Sequence, residues 1–172
     1  MLARLPTIAL LLGIAGLIPF IGAGIAAVSA TPQGQDPRGL LAFIGYGAVI
    51  LSFLGGVHWG FVLKPLPESL PGGPPGSLVV TDTRPGSRLT LGVVPALVGW
   101  IAILTYAFGL PWLGLVVLIA GFLATVLTEA QLNRRGLMPA RYMWLRWGLT
   151  IVVLMILVTV LTLRLIGATI TV

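Results

Sequence analysis

The sequence predicts an all-α polytopic membrane bundle of about five transmembrane helices, and three observations carry that prediction. Only 8% of residues are charged and 58% are hydrophobic, against roughly 25% and 45–50% in a soluble domain. Mean hydropathy is +1.09. Apolar windows of about 20 residues, the length that crosses a hydrocarbon core of roughly 30 Å as a helix, recur along the chain.

Taken in order, the first window runs from Leu5 to Val28. Arg4 before it and Val28-Ser29-Ala30 at its end resemble a secretory signal and its cleavage site. The apolar run is longer than the usual signal core of about 7–15 residues, so it is expected to persist as a first helix. The second window spans Gly39 to Leu63. The third and fourth, Leu89 to Phe108 and Pro111 to Leu132, form one apolar stretch that as a single helix would be about 65 Å long, too long for an ordinary bilayer. Gly109-Leu110-Pro111 is the break, because Gly ends a helix and Pro can begin one. The fifth window is Met143 to Gly167.

One transmembrane domain over 1–172 follows, with a Pro/Gly-rich loop over 64–88. That loop holds six prolines together with Gly72, Gly73, Gly76 and Gly86, a composition that favours extended chain over a packed core. It reads as a tether between helices or a docking segment.

The charge pattern orients the bundle. Arg4, Lys64, Arg84, Arg88, Arg134, Arg135, Arg141 and Arg146 fall on the N-terminal side of the membrane, and only Arg38 and Arg164 on the other. Basic loops stay inside, so the N-terminus is expected in the cytoplasm, or on the matrix side in an organelle, with the C-terminus across the membrane. A net charge of +6 placed this way sets topology and gives no reason to expect nucleic acid. The absence of cysteine removes disulfides and thiolate chemistry.

Two groups of residues stand out. Ala48, Ser52, Gly56 and Gly60 recur every four positions, so they stack on one helix face and let another backbone come close. Small residues at Ala9 and Gly13, and at Ala120, Ala124 and Thr128, are candidate counterparts. The second group is polar: His58, Glu129 and Arg146 all fall in the cytoplasmic leaflet, where an ionisable side chain is costly unless partnered. Glu129 and Arg146 flank one short loop, so antiparallel helices bring them to one depth. A structural ion pair is the simpler account and a proton or anion site the sharper one. A lone histidine makes no metal centre. Trp59, Tyr142, Trp144 and Trp147 toward one face, with Tyr106 and Trp112 toward the other, outline an interfacial belt.

No phosphate-binding glycine loop, paired metal-ligand motif, nucleophile elbow or matched pair of broken helices is present in the sequence. Catalytic residues, metals and cofactors are therefore not expected.

The run Ile50-Leu51-Ser52-Phe53-Leu54-Gly55-Gly56-Val57-His58-Trp59-Gly60, with Leu137-Met138-Pro139-Ala140-Arg141-Tyr142 and the opening Gly13-Ile14-Ala15-Gly16-Leu17-Ile18-Pro19-Phe20, resembles the small multi-span membrane proteins related to transmembrane protein 69. Arg141 departs from the family pattern, which has Trp before the tyrosine. The resemblance implies a bacterial inner-membrane or mitochondrial inner-membrane protein and brings no reaction with it. The expectation is a non-enzymatic accessory or assembly subunit, with membrane lipid around it and a larger integral complex, respiratory or photosynthetic, as partner. The alternative is a small carrier or binding protein for a proton, anion or lipid, using His58, Glu129 and Arg146.

Overall fold

The computed structural model describes residues 7–31, 34–65, 78–80, 85–134 and 140–170. Where the sequence predicts one first helix, the chain forms two segments, α1 (Thr7–Ala15) and α2 (Leu17–Val28). They meet at Gly16, whose backbone stays helical (φ −64°, ψ −19°) and donates to the Leu12 carbonyl at 3.0 Å. Pro19 accounts for the break between them, since it has no N–H to return to the carbonyl of Ala15 and its ring crowds that turn.

A two-stranded hairpin follows, β1 (Ala30–Thr31) with β2 (Gly34–Gln35), turned through Gly34 at φ +112°. The second span is α3 (Pro37–Val62), opened by a proline whose missing N–H costs nothing in a first turn. The Pro/Gly-rich segment is not wholly extended tether: its ends pair as β3 (Leu63–Pro65) and β4 (Leu78–Val80), antiparallel with Lys64 opposite Val79. Residues 66–77 and 81–84 lie outside the described residues.

The third span, α4 (Pro85–Ala107), begins earlier than its apolar run suggests, because Pro85 supplies a helix start within the polar segment. Pro95 sits inside it without ending it. Gly109 takes φ +76°, and the Leu110 N–H donates to the Thr105 carbonyl at 2.8 Å. This left-handed glycine closes α4 and lets α5 (Pro111–Arg134) start antiparallel to it. The last span is α6 (Ala140–Leu165).

Four stretches, Leu10–Val28, Pro37–Val57, Pro111–Gln131 and Trp144–Leu165, are long and apolar enough to cross a membrane, and α4 adds the shorter apolar stretch Gly92–Ala107. The helices close into a ring. Each of α2, α3, α4, α5 and α6 packs on the next, α6 returns to α2, and α3 also reaches across to α5.

Phe20, Phe43, Phe122, Leu51, Leu118 and Leu157 fill the middle, with the Phe20 and Phe43 rings 4.6 Å apart between centroids. Helices approach closely where side chains vanish. A Cβ on Gly39 would overlap the backbone of Ala26, and one on Gly55 would overlap the Gly92 carbonyl, so α2–α3 and α3–α4 meet backbone to backbone.

Outward-facing positions are apolar as well: Phe53, Trp100, Leu127 and Met155 are all exposed. Hydroxyls on the spans turn inward onto their own helices, as Thr125, Thr128, Thr159 and Thr162 each donate to the carbonyl four residues back. An apolar exterior with internally satisfied polar groups is what lipid demands of a surface. The chain is an all-α, multi-pass integral membrane bundle.

Candidate functional site

Glu129 lies near the end of α5 and Arg146 near the start of α6, and the antiparallel pairing of these helices sets them face to face. Arg146 Nε donates to Glu129 Oε2 at 2.8 Å. Glu129 is fully buried and Arg146 is 7% exposed. One donor and one acceptor are left over: Arg146 Nη2 and Glu129 Oε1 have no hydrogen-bond partner among the described residues. In a low-dielectric interior each such orphan costs on the order of 1–3 kcal/mol, more when the group is charged.

Arg146 also lines a lateral groove of about 310 Å³. Leu12, Gly13 and Gly16 of the first span form one wall, Tyr46, Ile50 and Phe53 of α3 another, and Leu149, Thr150 and Val153 of α6 the third. Gly16, where an added Cβ would meet only its own helix, leaves the space beside it unfilled. Tyr46 is held at its margin by donating its hydroxyl to the Gly16 carbonyl at 2.9 Å. Phe53 and Leu12, at 71% and 68% exposed, stand at the outer lip, so the groove opens sideways. It is an apolar trough, and among the described residues Arg146 is the one charged side chain in its lining.

Of the sequence-derived polar set, Glu129 and Arg146 are in contact; the His58 side chain lies outside the described residues. The small-residue row divides. Ala48 packs against Gly99 of α4, and Ser52 donates to the Ala48 carbonyl at 2.7 Å, but a Cβ at Gly56 would meet nothing within 4 Å. The side of Gly60 is also outside the described residues. The tightest α3–α4 approach instead runs through Gly55 and Gly92, with the Trp59 ring lying on Gly92.

A second polar assembly, at the far end of the bundle, has no sequence motif. Arg164 Nη1 donates to the carbonyls of Ala27, at 2.6 Å, and Asp36, at 3.3 Å. Gln35 Nε2 donates to Leu163 and Ala168 at 3.0 and 2.6 Å, and the Tyr106 hydroxyl to Pro37 at 2.8 Å. The chain end joins in, with the Ile170 N–H on the Val28 carbonyl and the Ala30 N–H on the Ile170 carbonyl, both at 3.0 Å. These side chains satisfy carbonyls freed at the C-termini of α2 and α6, where a cation also complements the helix dipole. The only sequence signal was an arginine and a glutamine sitting just beyond apolar runs, which names no partner.

Comparison with known proteins agrees with the membrane architecture. Transmembrane protein 69 of Xenopus tropicalis is 41% identical over 99 residues, covering 58% of this chain and 33% of that protein. Transmembrane protein 69 of Mus musculus is 45% identical over 71 residues, covering 40% of this chain and 26% of that protein. The matched part thus spans a third or less of these relatives' length. No solved structure matches the chain. Residues 5–162 match the family described as "Protein of unknown function (DUF3429)", nearly the whole length of the bundle, and the chain belongs to that family.

Proposed function

We propose that this chain is a non-enzymatic membrane protein that holds a lipid in the groove between its first span, α3 and α6. One observation carries the proposal: Arg146, nine-tenths buried, is a charged side chain in the lining of an otherwise apolar groove. An apolar groove with a cationic residue in its lining is matched by an amphiphile with a polar head and a hydrocarbon tail. The basic residues Lys64, just after α3, and Arg134, the last of α5, are at the Arg146 end, which supports placing the groove's polar end toward the cytoplasm or matrix. With the family resemblance, that supports a bacterial inner membrane, or the mitochondrial inner membrane in a eukaryote.

The test removes the polar pair without stranding either partner. The double variant Glu129→Leu with Arg146→Met is expected to stay folded and to lose lipid that the parent protein carries through detergent purification, read by native mass spectrometry. Unchanged lipid retention would refute the proposal.

A second reading, an accessory or assembly subunit of a larger membrane complex, is favoured by Gly45 and Gly56. At both positions of α3 an added Cβ would meet nothing within 4 Å, so that face admits the close approach of a foreign helix. Mild extraction from native membranes and mass spectrometry of what stays bound tests it; a lone protein at every expression level excludes a stable complex.

A further inference from the structure

Resting on the lipid-groove proposal above, we infer that Thr150 is the residue that meets the lipid's polar end, its hydroxyl donating to an ester carbonyl of a glycerolipid. Thr105, Thr125, Thr128, Thr159 and Thr162 each donate to a carbonyl three or four residues back in their own helix. Thr150 Oγ1 makes no such bond, and no other hydrogen bond among the described residues. The residue is 5% exposed and lines the groove. Its oxygen keeps accessible surface, whereas Glu129 Oε1 and Arg146 Nη2 are enclosed and out of reach of anything in the groove. The space beside Thr150 from which that oxygen can be reached is the groove. A hydroxyl held in apolar surroundings without a partner is unfavourable, and a ligand that brings an acceptor relieves that cost.

Chemistry and depth select the acceptor. A phosphate drawn to this point would carry negative charge into a medium of low dielectric, beside an Arg146 whose charge Glu129 already matches at 2.8 Å. An ester carbonyl is a neutral acceptor and carries no such cost. Side chains on a helix lean toward its N-terminus, so the Thr150 hydroxyl lies over the turn that holds Arg146 and Trp147. Trp144 and Trp147, 74% and 39% exposed, mark the boundary between headgroups and hydrocarbon, which is where the ester carbonyls of a glycerolipid sit. Beyond Thr150 the groove runs on between Leu17, Ile50 and Val153. Those aliphatic walls suit the upper part of the acyl chain attached to that carbonyl, while the headgroup stays at the membrane surface.

The experiment uses the full chain in detergent and native mass spectrometry, with two probes in competition: dioleoyl phosphatidylcholine and its dialkyl ether analogue, which differ in the ester carbonyls. The parent protein is expected to retain the ester lipid about fivefold over the ether, the scale of one neutral hydrogen bond. Thr150→Val, similar in shape and without the hydroxyl, is expected to retain the two alike, with the ether lipid held at the parent's level. Thr150→Ser, which keeps the hydroxyl, should restore the ester preference. Gly16→Leu, at a helical position where an added Cβ meets only its own helix at 3.5 Å, fills the groove and is expected to abolish retention of both.

Equal retention of ester and ether lipid by the parent overturns the carbonyl assignment, and an ester preference that survives in Thr150→Val overturns the role of Thr150. Either result leaves a lipid in the groove. Retention of both probes unaffected by Gly16→Leu overturns the groove itself, and with it the proposed function.

Discussion

At the scale of single residues, the Glu129–Arg146 pair governs the molecule's behaviour. Removing one member leaves the other charged and buried, a loss of about 3–5 kcal/mol. Glu129→Ala or Arg146→Ala alone should therefore lower the unfolding midpoint in detergent strongly, while the apolar double replacement should match or exceed the parent. Equal loss in single and double variants would show that the pair does not act as a unit. Gly55 is a second sensitive position, because an added methyl meets the Gly92 carbonyl. Gly55→Ala should cost about 1–3 kcal/mol, the range for overpacking, whereas Gly56→Ala one residue on should be near neutral, in the same detergent melt. Sequence alone brought Glu129 and Arg146 to one depth, since both flank one loop. It did not separate Gly55 from Gly56, because the period of four selects a row of small residues and the actual approach of α4 falls one position aside.

At the scale of elements, the breaks in the helices carry the architecture. Gly109-Leu110-Pro111 was legible because glycine and proline act locally there, the one through a positive φ and the other through a free first turn. The break at Gly16 was not, since proline within an apolar span is ordinary and only its neighbours decide whether the helix is interrupted there. The polar cap at the other end was invisible for a related reason: Gln35 and Arg164 bond backbone carbonyls, which carry no sequence signature. Arg164→Leu leaves the carbonyls of Ala27 and Asp36 without this donor. Amide exchange in the chain end at Ala168–Ile170 and at Ala30 is expected to speed up about tenfold, as for a local loss of roughly 1–2 kcal/mol. Exchange elsewhere in α6 should be unchanged; no change at Ala30 would mean that the cap holds without the arginine.

At the scale of the whole molecule, composition pointed to a membrane protein, and apolar windows long enough to cross a bilayer as helices made it an all-α bundle. The positions of the spans followed from bilayer thickness. The ring order of the helices did not, as nearly every helix is apolar all round and any face could turn inward. Orientation rests on the basic loops, and reporter fusions at Gln33 and Gly73 should give opposite signals; like signals would place both connections on one side. The groove emerges only at this scale, from residues of the first span, α3 and α6 that the packing brings together. Photocrosslinking from a lipid with a diazirine in its acyl chain, mapped by mass spectrometry of the labelled protein, tests it most directly. Labelling concentrated at Ile50, Phe53, Leu149 and Val153 is the predicted result, and labelling no denser there than at Trp100 and Leu127, on the outer faces of α4 and α5, would contradict it.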